Sequence, residues 1–282
     1  MNAWLTSKRT LLRFLILFIL LFSLFSSNLV IPVTADLPKV GLIPDGPIDD
    51  QSFNQMAYEG LMRADTEGLV DGTVYTDPDA GTAIAACITA GNSLCITVGF
   101  MMGDVTMIAA TNNPTVNFAI MDMSWAEGAY PANLRGTYFA VDEAAFLAGT
   151  LAGLMSESNQ VGIVAGMDIP PVNDFVIPFT YGAQWANHPV NILLNYANDF
   201  MKEAIGAALA DSQIDRGADV IFGVGGMMGD GAIKEAGLRS QYCIGVDVDT
   251  YFTAFGGGTE TGSEFLLTSV LKRVDNAVYD TI

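Results

Sequence analysis

Short apolar runs rich in β-branched residues recur along this chain, and longer segments with helical periodicity lie between them. Seven runs of this kind are found, at residues 40–43, 95–98, 116–121, 161–164, 190–194, 220–222 and 243–246. Strands that are apolar on both faces belong in parallel sheets whose two faces are covered by helices. The pattern therefore predicts the α/β class.

Two of the segments between these runs carry apolar residues at helical spacing. The first stripe consists of Phe53, Met56, Ala57, Gly60, Leu61 and Ala64, and the second of Phe146, Leu147, Thr150, Leu151 and Leu154. A chain of 282 residues with this many helices does not suit one compact sheet. We therefore expect two similar lobes with parallel sheets, with the change of lobe near residues 130–160.

The first 35 residues have the organisation of a secretory signal. Three basic residues precede an apolar run over residues 14–25, and Val33 and Ala35 occupy the −3 and −1 positions of a cleavage site. Residues 14–33 are also about long enough to span a bilayer, so an uncleaved anchor is the alternative. Both forms predict a protein that works outside the cytoplasm, either secreted or periplasmic, or at the outer face of the cell membrane.

The charge and the supply of metal-ligating residues exclude several classes of protein. Twelve Lys and Arg residues against 31 Asp and Glu residues give a net charge of −19, which argues against binding to nucleic acid or to anionic lipid. One histidine and three cysteines are too few for a His-rich zinc site or a multi-disulfide scaffold. Cys95 and Cys243 lie in apolar runs, which favours buried free thiols.

Polar and aromatic residues follow several of the predicted strands. Ligands of open parallel sheets bind beyond the carboxyl ends of the strands, so the cleft between two such lobes is the expected site. After the first strand, Ser52 and Gln55 have the spacing of a capping box, which places Phe53 in the first helical turn, facing the cleft. Later strands are followed by Asp122, Phe200, the glycine-rich turn with Gly225 and Gly226, and Asp247.

Five segments of the chain carry a family resemblance. They are DDQSFNQ at 49–55 with Glu59 and Gly60, the segment 138–149, GADVIF at 217–222, GVDVD at 245–249 and TSVLKRVD at 268–275. Taken in this order, they resemble the motifs of the basic membrane protein family of solute-binding proteins. The resemblance implies a type I periplasmic-binding-protein fold, in which two Rossmann-like lobes with parallel sheets are joined by three hinge crossovers. It also implies capture of a purine nucleoside for the permease of an ABC importer.

The resemblance implies roles for individual residues, and these roles suit a nucleoside. Phe53 and Phe200, from different lobes, would stack on the two faces of the base. Asp247 would accept hydrogen bonds from the vicinal ribose hydroxyls, and Lys272 would donate to the ribose or balance Asp247. Asp122 would accept from a nitrogen on the base edge. Further candidate contacts are Ser52, Asn54, Asp50 and, through backbone amides, Gly225 and Gly226.

Each of these residues also has a purely structural interpretation. Phe53 could belong to the core, and Phe175 and Phe179 compete with Phe200 for the stacking role. The carboxylates could cap loops or helices, and Lys272 could be a surface lysine. We expect no cofactor, no catalytic residue and no metal ligand, and we expect a monomer.

Three rival functions follow from the same residues. A binding protein of the same fold for a sugar or a signalling molecule is the main alternative, because sugars also stack on aromatic rings. A calcium-dependent nucleoside hydrolase is disfavoured: residues 45–50 resemble the Asp-rich start of those enzymes, but Ile43 stands where a carboxylate is expected. A dehydrogenase fails because Met228 replaces the third glycine of the dinucleotide-binding pattern that starts at Gly223.

The sequence divides into a signal segment at 1–35, a first lobe at 36–145 to which 258–282 returns, and a second lobe at 146–257. Family members normally continue past the last motif with a further strand and helix, whereas this sequence stops at Ile282. The resemblance therefore implies that the C-terminal end of the first lobe is truncated. We expect residues 36–282 to be less stable than a complete homologue, because apolar surface would be left exposed.

Overall fold

A computed structural model describes residues 36–282 of this protein. In chain order the elements are β1 (Lys39–Pro44), α1 (Phe53–Thr66), β2 (Asp71–Val74), α2 (Ala80–Thr89), β3 (Leu94–Val98), α3 (Gly103–Asn112), β4 (Asn117–Met121), β5 (Leu134–Thr137), α4 (Asp142–Met155), β6 (Gln160–Ala165), α5 (Pro170–Ala186), β7 (Asn191–Tyr196), α6 (Glu203–Asp215), β8 (Val220–Val224), α7 (Gly226–Leu238), β9 (Tyr242–Asp247), β10 (Leu266–Leu271) and α8 (Val274–Thr281). The predicted signal or anchor at 1–35 lies outside the described residues. Within 36–282, no helix combines the length and apolar composition needed to cross a bilayer.

The strands form two five-stranded sheets, and every pairing is parallel. The first sheet has the order β2-β1-β3-β4-β5, and the second has the order β10-β9-β8-β6-β7. The prediction of an α/β fold with two parallel sheets is therefore confirmed. Because the strands within each sheet are parallel, each sheet has a single edge at which all of its carboxyl ends meet.

The interior strands are buried on both faces, as their apolar composition predicts. Leu42 in β1 and Ile96 in β3 are neighbours in the first sheet and have no exposed surface. Ile163 and Ile221 take comparable positions in the second sheet. Helix α1 buries most of its predicted stripe against this core, and α8 packs beside it. The sheets are thus held rigidly from both sides, which fixes the position of the loops at their carboxyl edges.

Helix α4 does not bury the face that its leucines predict. Leu147 and Leu154 are each 68% exposed, and the buried side consists of small residues. The cause is a very close contact with α5: a Cβ atom on Gly149 would lie 2.0 Å from the carbonyl oxygen of Phe179. Only glycine permits this approach, so the helix turns its small residues inward and its leucines outward.

The chain passes between the lobes at two places within the described residues. The first passage is at residues 138–141, between β5 and α4, and the second follows β10. The predicted return of 258–282 to the first lobe needs correction in part, because β10 pairs with β9 in the second sheet and only α8 packs on the first lobe. The return begins at Lys272.

The predicted free thiol at Cys95 is wrong. Cys95 forms a disulfide with Cys87, which joins the end of α2 to the start of β3, and both residues are fully buried. The short connection between these two elements brings the side chains together, which an apolar run in the sequence cannot indicate. Cys243 is a buried free thiol, as expected, and burial raises its pKa well above the usual range.

Removing the disulfide should destabilise the protein without changing its fold. We expect the double variant Cys87→Ala, Cys95→Ala to lower the free energy of unfolding by about 2–3 kcal/mol, because the unfolded chain gains loop entropy. Urea titration followed by circular dichroism measures this. The control is Cys243→Ala, which removes a buried sulfur that is not cross-linked. A double variant no less stable than this control would contradict the disulfide.

Candidate functional site

A cavity of about 330 Å³ lies between the two lobes, at the carboxyl edges of both sheets. Loops after β1, β3 and β4 form the wall on the first lobe, and loops after β6, β7, β8 and β9 form the wall on the second. Lys272, on the segment that returns to the first lobe, completes the lining. Both lobes therefore contribute to one cleft, as the direction of their strands requires.

Nine of the ten residues singled out in the sequence line this cavity. They are Asp50, Phe53, Asn54, Asp122, Phe200, Gly225, Gly226, Asp247 and Lys272. The tenth, Ser52, lies in a groove on the other side of Asp247. The structure thus brings the candidates together, and their roles toward a ligand are taken up below as proposals.

Asp122 and Asp247 occupy corresponding positions in the two lobes. Each stands at the carboxyl end of a strand, β4 or β9, and each has a left-handed backbone, with φ of 70° and 67°. A non-glycine residue rarely adopts this conformation, and such strained positions are typical of functional sites. The turn aims both carboxylates into the space between the lobes.

Lys272 places an ammonium group in this acidic space. Its Nζ lies 2.5 Å from Asp122 Oδ2, and only 4% of its surface is exposed. Three aromatic rings surround the same nitrogen, with centroids 5.4 Å away for Phe53 and 5.3 Å away for Phe139 and Phe175. A buried charge needs such partners, because removal from water is costly and the negative faces of the rings offset part of that cost.

Burial raises the pKa of the carboxyl groups in the cleft. For Asp247 the pKa rises to about 6, with the charge of Lys272 acting in the opposite direction. The pKa of Asp122 also lies above its ordinary value because of burial, although its ion pair with Lys272 lowers it. Asp45 also lines the cavity, and although the residue is exposed, desolvation by the neighbouring protein raises its pKa to about 6. Carboxylates with raised pKa values favour a ligand that donates hydrogen bonds to them.

The predicted capping box at Ser52 is wrong, and Asp50 takes its place. The Asp50 carboxylate accepts hydrogen bonds from the backbone amides of Ser52, Asn54 and Gln55, at 2.9–3.0 Å. The hydroxyl of Ser52 makes no bond to the helix and donates instead to Asp247 Oδ2, at 3.1 Å. Asp50 therefore holds the start of α1, while Ser52 connects the first lobe to the Asp247 carboxylate.

Asn54 carries an unused acceptor beside the cavity. Its Nδ2 donates to Asp50 Oδ2 at 3.1 Å, whereas its buried Oδ1 has no hydrogen-bond partner within the described residues. A buried polar atom without a partner is costly, so the atom calls for an explanation. A donor on a bound solute would supply the missing bond.

Gly225 serves the cleft by admitting an aromatic ring. With φ of 143°, it lies beneath the ring of Phe200, and a Cβ at Gly225 would come within 3.1 Å of that ring. A Cβ at Gly166 would lie 2.2 Å from the same ring. Gly166 and Gly225 therefore fix Phe200 against the ends of β6 and β8. The expected contact of the Gly225 and Gly226 backbone amides with a ligand stays a prediction.

Sequence reasoning missed several residues of the lining. They include Phe100, Met101, Met167 and Asn198, while Phe175 was considered only as a competitor of Phe200. Asn198 follows β7 with φ of 55°, so the rule that polar residues after strands face the cleft applies to it. Phe175 lies inside α5, where its periodicity matches a core residue, and it is 3% exposed. No local pattern distinguishes it from the core.

The geometry agrees with what similarity to known proteins shows. Residues 37–282 match the Bmp family, described as ABC transporter substrate-binding protein PnrA-like. The chain belongs to this family. The resemblance seen in the five sequence motifs is thereby confirmed.

Individual relatives support the same assignment. Basic membrane protein A of Borreliella burgdorferi is 32% identical over 226 residues, which make up 78% of this chain and 66% of that protein. The ABC transporter nucleoside-binding protein BmpA of Lactococcus lactis is 31% identical over 265 residues, covering 88% of this chain and 74% of the relative. The chain thus spans about two thirds to three quarters of these relatives.

Solved structures agree on the architecture. An ABC transporter solute-binding protein from Aeropyrum pernix superposes with a TM-score of 0.75 and 29% sequence identity, over 86% of this chain and 69% of the other. The Bmp family is one of substrate-binding proteins. In the part of the chain that the structure describes, no group of three or more His, Cys, Asp and Glu side chains is arranged to hold a metal ion.

The buried carboxyl of Asp230 generates a pH prediction. Burial raises its pKa to about 7; Lys234 lowers the pKa, and Glu203, Asp247 and Asp50 raise it. The folded state therefore favours the protonated form, so this stabilising contribution is complete below pH 4 and is lost as the pH rises through about 7. Asp230→Asn keeps the shape without the charge and should be more stable than the unchanged protein at pH 8, by on the order of 2 kcal/mol.

Urea titrations at pH 4 and pH 8 measure this difference. It should be largest at pH 8 and small at pH 4. The matched control is Asp280→Asn, which changes an exposed carboxylate on α8 and should leave the pH dependence unaltered. A difference between Asp230→Asn and the unchanged protein that does not grow with pH would contradict the argument.

Proposed function

We propose that this protein captures a purine nucleoside between its lobes and delivers it to the permease of an ABC importer. The observation that carries the proposal is that Phe53 and Phe200 belong to opposite walls of one cavity, with Asp122 and Asp247 beside them. A base is flat and apolar on its faces, which suits stacking between two rings. A volume of about 330 Å³ is at the small end of ligand sites, roughly 300–1,000 Å³.

The polar groups suit the remainder of a nucleoside. Asp247 is an acceptor for two adjacent ribose hydroxyls, with Ser52 holding one of its oxygens. Lys272 is a donor close to both carboxylates, and the free Oδ1 of Asn54 is an acceptor for a donor on the base. Asp122 is the acceptor on the wall of the first lobe for a nitrogen of the base edge.

Delivery requires a location outside the cytoplasm and a change of shape. The proposed location is the periplasm or the outer face of the cell membrane. There the protein would act as a monomer and dock on the permease. Binding is expected to close the lobes, because aromatic rings from both sides must contact the same base. Small-angle scattering should then show a smaller radius of gyration with saturating nucleoside than without.

A ligand panel tests the proposal. We expect adenosine, guanosine or inosine to raise the midpoint of thermal unfolding, whereas cytidine, ribose and glucose should not. A ligand that binds only the folded state raises the free energy of unfolding by about 2.7 kcal/mol at a hundredfold excess over its Kd. Phe53→Ala and Asp247→Asn should abolish the shift, because each removes a main contact of base or ribose.

Matched controls and contrary outcomes sharpen this experiment. Phe252→Ala and Asp249→Asn alter an exposed ring and an exposed carboxylate outside the cavity, and both should retain the shift. A shift with sugars alone would support a sugar-binding protein of the same fold and overturn the nucleoside. Calcium-dependent release of ribose would support the hydrolase instead. A cooperative unfolding transition that no nucleoside moves would contradict the proposal.

A further inference from the structure

Phe139 lies in the first passage between the lobes and contacts both hydrophobic cores. Its half-buried ring packs against the core of the second lobe, which includes Val141 and Phe175, and against the core of the first, which includes Val40 and Met121. Among the half-buried hydrophobic side chains of residues 36–282, it is the one shared by these two cores. A change at this ring therefore acts on both lobes at once.

The same ring contacts the ammonium group of Lys272. The distance from Lys272 Nζ to the ring centroid is 5.3 Å, within the range of a cation–π interaction. The two other rings near this nitrogen, Phe53 and Phe175, line the cavity, whereas Phe139 does not. Phe139 therefore supports the ammonium from outside the ligand space.

This arrangement connects the ammonium group of Lys272 to the first passage between the lobes. Lys272 donates its backbone amide to the carbonyl of Asp247 at 2.8 Å and its side chain to Asp122, so it is bonded to both strand-end acids. A long lysine side chain has many rotamers, and a fixed partner on the far side restricts them. The ring of Phe139 is such a partner, and its packing against both cores holds it in place.

We propose that Phe139 is a positioning residue for solute capture, which acts by holding the Lys272 ammonium at the ribose side of the cavity. The inference rests on the proposed capture of a nucleoside and assigns a role to a residue that would not touch it. Loss of the aromatic face should weaken the binding of a ligand that carries ribose. It should have little effect on the free base, whose stacking partners are unchanged.

The test compares ring-removing and ring-retaining variants in the full chain. We expect Phe139→Leu and Phe139→Met to weaken inosine binding about fivefold, the effect of one partly buried cation–π contact. Phe139→Tyr keeps the ring and should bind inosine as the unchanged protein does. Hypoxanthine, the base alone, should bind all four proteins with equal affinity. Isothermal titration calorimetry measures each affinity.

A purely structural role for Phe139 gives a different result. The matched control is Phe118→Leu, which removes a buried ring from the core of the first lobe away from Lys272. The inference is overturned if Phe118→Leu weakens inosine binding as much as Phe139→Leu does. It is also overturned if Phe139→Leu lowers the affinity for hypoxanthine as much as that for inosine. Unchanged inosine affinity in Phe139→Leu and Phe139→Met also overturns it. Failure of the unchanged protein to bind any purine nucleoside overturns the proposed function itself.

Discussion

One buried ammonium group sets the constraint around which the cleft is built. Lys272 cannot leave water without a counter-charge, and the carboxylate of Asp122 at 2.5 Å supplies it. The ion pair spans the junction between a strand end of the first lobe and the segment that returns from the second. The centroids of three aromatic rings lie 5.3–5.4 Å from the same nitrogen. This set of contacts exists only while the two lobes keep their present relative position.

The two parallel sheets have the same backbone geometry at the carboxyl ends of their strands. In each lobe an aspartate with a left-handed backbone ends a strand, Asp122 in the first and Asp247 in the second. In each lobe a glycine with positive φ ends another strand, Gly99 in the first and Gly225 in the second. The glycines leave room for neighbours, Asp45 at Gly99 and the Phe200 ring at Gly225. The site is therefore built from backbone turns on rigid strands.

The strands and helices that follow a periodic apolar pattern could be predicted from the sequence. The contacts that depend on tertiary neighbours could not. The interior strands read as apolar runs because both of their faces are buried. The edge strands β2 and β5 were not predicted because their edge positions leave polar residues exposed, as in Asp71 and Arg135. The strand-end rule located Asp122, Phe200 and Asp247 among the residues that line the cavity. It failed for Ser52, whose hydroxyl bonds to a residue 195 positions away, which no local pattern reveals.

The charge balance of the cavity favours an uncharged solute over an anionic one. Five aspartates line the described cavity, and Lys272 is the one cation among the lining residues. That cation is already paired with Asp122, so a phosphate group would enter without a free counter-charge and close to Asp247. Binding of a nucleotide would therefore carry an uncompensated cost of desolvation and charge repulsion. A nucleoside instead brings hydroxyl and N–H groups that donate hydrogen bonds to the carboxylates. The acidic groups that suit the proposed nucleoside are thus the same groups that would disfavour its phosphorylated form.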